Sequence, residues 1–158
     1  MTTHKSDAVT SGIMPDHARA GVVFCRSAEY TTADDSLVSG DTLQLVPVPS
    51  GAKILALTFY TDALPANTTG CDLGWGGDPN GFLQSMTCTG QKMHFYPGSA
   101  NTGDTQTYFG NSVGFLHTFT ADDTIDLSIP TADTKIPTDI TFKLAVWYKM
   151  TGTIADET

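Results

Sequence analysis

The sequence predicts an all-β domain: an antiparallel β-sandwich, jelly-roll-like, of about eight strands, with an extended N-terminal arm. Three observations carry that expectation. From Gly21 onward the chain falls into short runs rich in β-branched and aromatic residues, separated by turn residues at intervals that suit a sandwich. No stretch sustains a helical period, and no internal repeat or heptad appears. The last long run, residues 140–150, alternates strictly, with Ile140, Phe142, Leu144, Val146, Tyr148 and Met150 on one face and Thr141, Lys143, Ala145, Trp147 and Lys149 on the other.

Taken in order, residues 1–19 are polar, contain Pro15 and show no period, so they read as an arm with no core of its own. Residues 20–150 form the sandwich, and residues 151–158 a C-terminal tail. Within the sandwich, residues 22–30 are a strand candidate. Residues 42–48 start as a strand after the turn Ser39-Gly40-Asp41, and Pro47 marks an edge or strand end. Residues 52–60 are apolar on both faces, as a central strand covered on both sides would be. Their β-branched and aromatic content, and the Pro-Ser-Gly turn before them, favour strand over helix.

Residues 62–112 are rich in glycine and loops, with short strands expected near 71–75, 81–86 and 92–95. Asp78-Pro79-Asn80-Gly81 has the composition of a hairpin turn, since proline fixes φ and Asn-Gly accepts positive φ. Residues 113–119 are a further candidate, weakened by Gly114. In 124–129, Ile125, Leu127 and Ile129 are expected inward and Asp126 and Ser128 outward, before Pro130 ends the ladder.

At 158 residues the chain suits one domain, which at that size buries roughly 68–70% of the unfolded surface and needs no staple. Cys25, Cys71 and Cys88 are odd in number and lack a CxxC pair. They suit neither a disulfide framework nor a thiol-rich zinc site. A formal net charge of −9 repels phosphate backbones, so nucleic acid is not an expected partner. No run approaches the roughly 20 apolar residues of a membrane helix, and residues 1–19 lack a signal-peptide core. Cytoplasmic synthesis and no membrane partner are the expectations.

Chemistry has few candidates. There is no GxSxG, GxxxxGK[ST] or GxGxxG segment, so neither catalytic residues nor a cofactor are expected. His4 and His17 lie in the arm. His94 and His117 lie in strand-like runs, where a partly buried, hydrogen-bonded ring is the ordinary state. Cys71, Asp72, Cys88 and His94 have metal-ligand types but not a compact metal-site spacing, so no metal is expected. Trp75, Phe82, Tyr96, Tyr108 and Phe109 fall in or near loops. They would either cap the ends of the sandwich or present rings to a ligand, and Trp75, Tyr96 and Tyr108 are the candidates for the second role.

The run Ser39-Gly40-Asp41-Thr42-Leu43-Gln44-Leu45, followed by Val46-Pro47-Val48-Pro49-Ser50-Gly51-Ala52-Lys53-Ile54, resembles a GDxLxLxxxPxGA opening found in small structural proteins of tailed bacteriophages. Thr61-Asp62, Asp122-Asp123-Thr124-Ile125-Asp126-Leu127 and Leu144-Ala145-Val146-Trp147-Tyr148 continue the resemblance, which spans most of residues 37–150. It implies a capsid decoration (cement) protein on the outside of a head shell, bound to the major capsid protein and often trimeric. In that role the arm would lie in the seam between capsomers, with Met14, His17 and Arg19 as its anchors. A receptor- or carbohydrate-binding module, on a tail fibre or free, is the alternative.

Overall fold

The computed structural model describes residues 2–12, 22–33, 37–65, 68–86, 88, 92–96, 114, 116–129, 131–132 and 136–151. Their elements, in chain order, are β1 (Thr3–Lys5), α1 (Asp7–Thr10), β2 (Val23–Thr31), β3 (Thr42–Val48), β4 (Ala52–Thr61), β5 (Thr68–Thr69), β6 (Cys71–Trp75), β7 (Asp78–Met86), β8 (Lys92–Tyr96), β9 (Asp123–Ser128), β10 (Thr131–Ala132) and β11 (Thr141–Met150). One sheet runs β2-β11-β4-β8. The other runs β3-β9-β6-β7, extended by β1 beside β3, and β5 pairs with β10 apart from both.

Counting only β2, β3, β4, β6, β7, β8, β9 and β11, in that order from one to eight, the two sheets read 1-8-3-6 and 2-7-4-5. This is the jelly-roll order, in which the chain crosses repeatedly between sheets so that neighbouring strands are antiparallel. The expected fold class is therefore the observed one. The core lies between the sheets. Phe142, Leu144, Val146 and Tyr148 from β11 meet Ile54, Leu57 and Phe59 from β4, and Ile125, Leu127, Leu73, Phe82 and Leu83 come from the opposite sheet, all buried. Each such side chain contributes roughly 1.5–3 kcal/mol by leaving water.

Four local expectations change. In β4, Trp147 pairs with Ala56 but Tyr148 pairs with Ile54, so Leu55 is the extra residue of a bulge. The bulge resets the alternation: Ala52 and Ile54 point inward before it, and Leu57, Phe59 and Thr61 after it. The run looks apolar on both faces because its phase changes midway; its second face is half-buried, not covered. The hairpin turn falls at Gly76-Gly77, and Asp78 to Gly81 already belong to β7. In the 113–119 run the described residues form no strand, only a single bridge from Thr118 to Lys53. Asp126, expected outward and wet, is buried.

The first residues of the expected arm are bonded to the sandwich. β1 runs parallel to β3, with Thr3 opposite Thr42 and Lys5 opposite Gln44. Ser6 is fully buried. Its N–H donates to Gln44 O at 2.9 Å, its hydroxyl donates to Leu45 O and also caps α1 by accepting from the Val9 N–H. Asp41 fastens the start of the segment, accepting from the N–H groups of Thr2 (2.8 Å) and Val38 (3.0 Å) and meeting His4 Nε2 at 3.3 Å. Burial opposes its ionisation, but those N–H groups and His4 outweigh it, holding the Asp41 carboxyl below the usual range.

Candidate interaction surfaces

Three places hold side chains beyond what packing alone requires: the loop end around Trp75, the outer face of the β3-β9-β6-β7 sheet at Asp126, and the outer face of the β2-β11-β4-β8 sheet.

At the loop end, Trp75 is only 7% exposed. His117 stacks on it with ring centres 4.0 Å apart, Phe82 lies at 5.0 Å and Phe119 meets it edge-on at 6.0 Å. Gly81 lies against the same ring, since a Cβ there would stand 2.0 Å from Trp75 Cζ3. Gly114 in turn closes over Gly81, with its own would-be Cβ 2.2 Å from the Gly81 carbonyl oxygen. Trp75 therefore caps the sandwich end and offers no open platform to a planar or sugar ligand. Burial lowers the His117 pKa, while Asp78 and Asp123 pull it upward.

Asp126 stands on the outer face of β9, with Gln44 opposite on one neighbouring strand and Gly74 on the other. It is 7% exposed, and its Oδ1, like the hydroxyl of Thr124 two residues earlier, has no hydrogen-bond partner among the described residues. Burial pushes its carboxyl up to about 6, with Asp123 adding to the rise and only a smaller opposing contribution from nearby Thr124. Asp72, two pairs further along, is also raised by burial, partly offset by the Ser85 N–H at 2.7 Å.

The outer face of β2-β11-β4-β8 is organised by register into rows that cross the strands. Val23, Lys149 and Lys53 make the first; Cys25, Trp147 and Ala56 the second; Ser27, Ala145 and Thr58 the third; Glu29, Lys143 and Tyr60 the fourth. The small side chains of the third row form the floor of a shallow trough of about 620 Å³. Lys143 Nζ pairs with Glu29 Oε2 at 3.1 Å, both more than half exposed, and Tyr60 donates to Asp62 Oδ1 at 2.8 Å. That bond raises the Tyr60 pKa.

Of the residues singled out from sequence, Trp75 is placed as described, and Tyr96 ends β8 at the sheet edge. Met14, His17, Arg19 and Tyr108 lie outside the described residues. Cys71 and Cys88 are buried and Cys25 is exposed, all three as free thiols. Among the described residues no three His, Cys, Asp or Glu side chains gather as metal ligands would. Sequence reasoning missed Asp126 and the lysine face. Lys143 and Lys149 were legible as outward positions of an alternating strand, but their meeting with Lys53 depends on a register that no local pattern encodes.

No protein-family model and no curated protein matches the sequence. By fold, the chain is similar to a chain in the solved capsid of Ralstonia phage GP4. The TM-score is 0.73 at 16% identity, over 96% of this chain and 99% of that one. A chain in the capsid asymmetric unit of cyanophage Pam1 is similar at TM-score 0.56 and 17% identity, over 86% and 90%. The fold is shared over nearly the full length of both chains in the first case and over most of both in the second.

Proposed function

We propose that this chain is a non-enzymatic virion structural protein that decorates and stabilises a bacteriophage capsid by binding across capsomers. The observation that carries the reading is the likeness to a chain of the Ralstonia phage GP4 capsid over nearly the full length of both chains. The motif resemblance from Ser39 to Ile54 supports it independently, because it concerns residue types and not the fold. In this reading the major capsid protein is the partner, and the sandwich is a rigid body held by contacts repeated around the shell. A standard interface of about 1,200–2,000 Å² per copy suffices, since many linked copies make release cooperative.

Met14, His17 and Arg19 are proposed as arm contacts, because residues 13–19 follow a segment already fastened to β3 and offer few other large or charged groups. The test is co-sedimentation of the purified protein with capsids that lack it, followed by cryo-EM of the pellet. Density at fixed lattice positions is the expected result; bare lattices at saturating protein would end the proposal. Replacing Met14, His17 and Arg19 together by alanine is expected to weaken attachment at least tenfold while leaving thermal stability unchanged, in line with the loss of several interface anchors.

A further inference from the structure

The chain carries a net charge of −9, yet three of its eight Lys and Arg residues, Lys53, Lys143 and Lys149, share the outer face of the β2-β11-β4-β8 sheet. Lys149 lies directly opposite Lys53, and neither makes an ion pair or side-chain hydrogen bond among the described residues. Like charges facing each other across a ladder destabilise it, so this pair is held at a cost that outside carboxylates would relieve. Around the pair the surface is apolar. Val23 is 55% exposed, Val22 is 45% exposed, and Trp147 in the adjoining row is half-buried. Lysines around an aromatic and two valines suit a protein surface that brings acid at its rim.

Such a surface exists on the chain itself. At the loop end Asp78 and Asp123 both lie near His117, the Asp123 carboxylate is 3.5 Å from where a Gly76 side chain would begin, and Asp122 directly precedes Asp123 in the chain. Asp122 Oδ1 accepts from the Ser50 N–H and Asp123 Oδ1 from the Thr124 N–H, which orients both carboxylates and leaves each a second oxygen. None of the three is ion-paired among the described residues. Lysine face against lysine face would bring like charges together, so the complementary surface for the lysine face is the aspartate patch of another copy.

We propose that copies of this chain associate with one another, the face carrying Lys53, Trp147 and Lys149 on one copy seating against Asp78, Asp122 and Asp123 of the next. The contact joins two different patches, so it is either made twice about a two-fold axis or made once per copy and repeated around a ring or along a chain. It requires no capsid, so it stands or falls separately from the proposed function.

The test is sedimentation velocity of the purified protein over a concentration series, at low salt and at about 1 M salt, where screening acts within about 3 Å. The expected result is an oligomer at low salt that dissociates at high salt. The double variants K53E/K149E and D122K/D123K are each expected to be monomeric, and their equimolar mixture to associate again, because each then offers the charge the other lost. Re-association also establishes that both variants fold. A wild-type protein that is monomeric throughout, an oligomer indifferent to both variants, or a mixture that stays monomeric would overturn the proposal.

Discussion

The outer faces of the two sheets each hold charge without a partner, and they hold it in opposite ways. On the β3-β9-β6-β7 sheet, Asp126 is buried between Gln44 and Gly74 with one oxygen unmatched. On the β2-β11-β4-β8 sheet, Lys53 and Lys149 face each other at the surface with water at hand. Both arise from the same rule, that every second residue of a strand points away from the core. The difference teaches that alternation assigns a face and says nothing about what covers it. A buried unmatched charge costs the fold several times what an exposed unmatched pair does, because water screens only the second.

The largest expected effect breaks the first half of that comparison. The rise of Asp126 from 3.8 to about 6 sets on the order of 2–3 kcal/mol against the charged form. Because its pKa is higher folded than unfolded, the penalty is complete above about pH 6, shrinks as pH falls, and is gone below about pH 3.8. Asp126→Asn is therefore expected to raise stability in urea by about 2 kcal/mol at pH 7, with the gain vanishing near pH 4. His117 works the other way, since its lowered pKa penalises protonation as pH falls below 6.5. The difference between variant and wild type cancels that contribution. A variant less stable than wild type at pH 7 would mean that Asp126 is matched in solution.

An intermediate effect probes the edge of the same sheet. Asp41→Ala removes the acceptor for two backbone N–H groups and the partner of His4, and should cost about 2 kcal/mol. Hydrogen exchange locates that loss. The Ser6 and Thr42 amides, which bond across β1 and β3, should lose protection while those of β11 keep theirs. The smallest effect concerns the lysine face. Lys53→Glu places opposite charges across from each other and should stabilise the isolated chain by about 0.5 kcal/mol. A loss instead would show that Lys53 already has a favourable neighbour.

Much of the fold was legible because the jelly roll is built from strands whose buried face follows a period of two. β11 is read correctly from its alternation alone, and β2, β3, β6, β8 and β9 fall within a residue or two of the expected runs. The errors have a common cause in pairing. The Leu55 bulge, the turn at Gly76-Gly77 and the burial of Asp126 each depend on what lies across the ladder. Asn80-Gly81 has turn composition, but Gly81 is needed for a different reason: the ring of Trp75 occupies the place of its side chain. The candidate surfaces were least legible, since they consist of residues from three or four strands that meet only after register is set.

The position of β11 also bears on how the protein comes into being. This last strand lies between β2 and β4, with Lys149 opposite Val23 and Thr141 opposite Thr31. The sheet therefore cannot close until the ribosome has released residues that follow the first strand by more than a hundred positions. Until then β2 and β4 expose facing edges, each a template for the wrong chain. Contacts so distant in sequence form slowly. Chains crowded on one message thus pass through a period in which their neighbours offer the same β11, which places the hazard of strand exchange in synthesis and not in the finished sandwich.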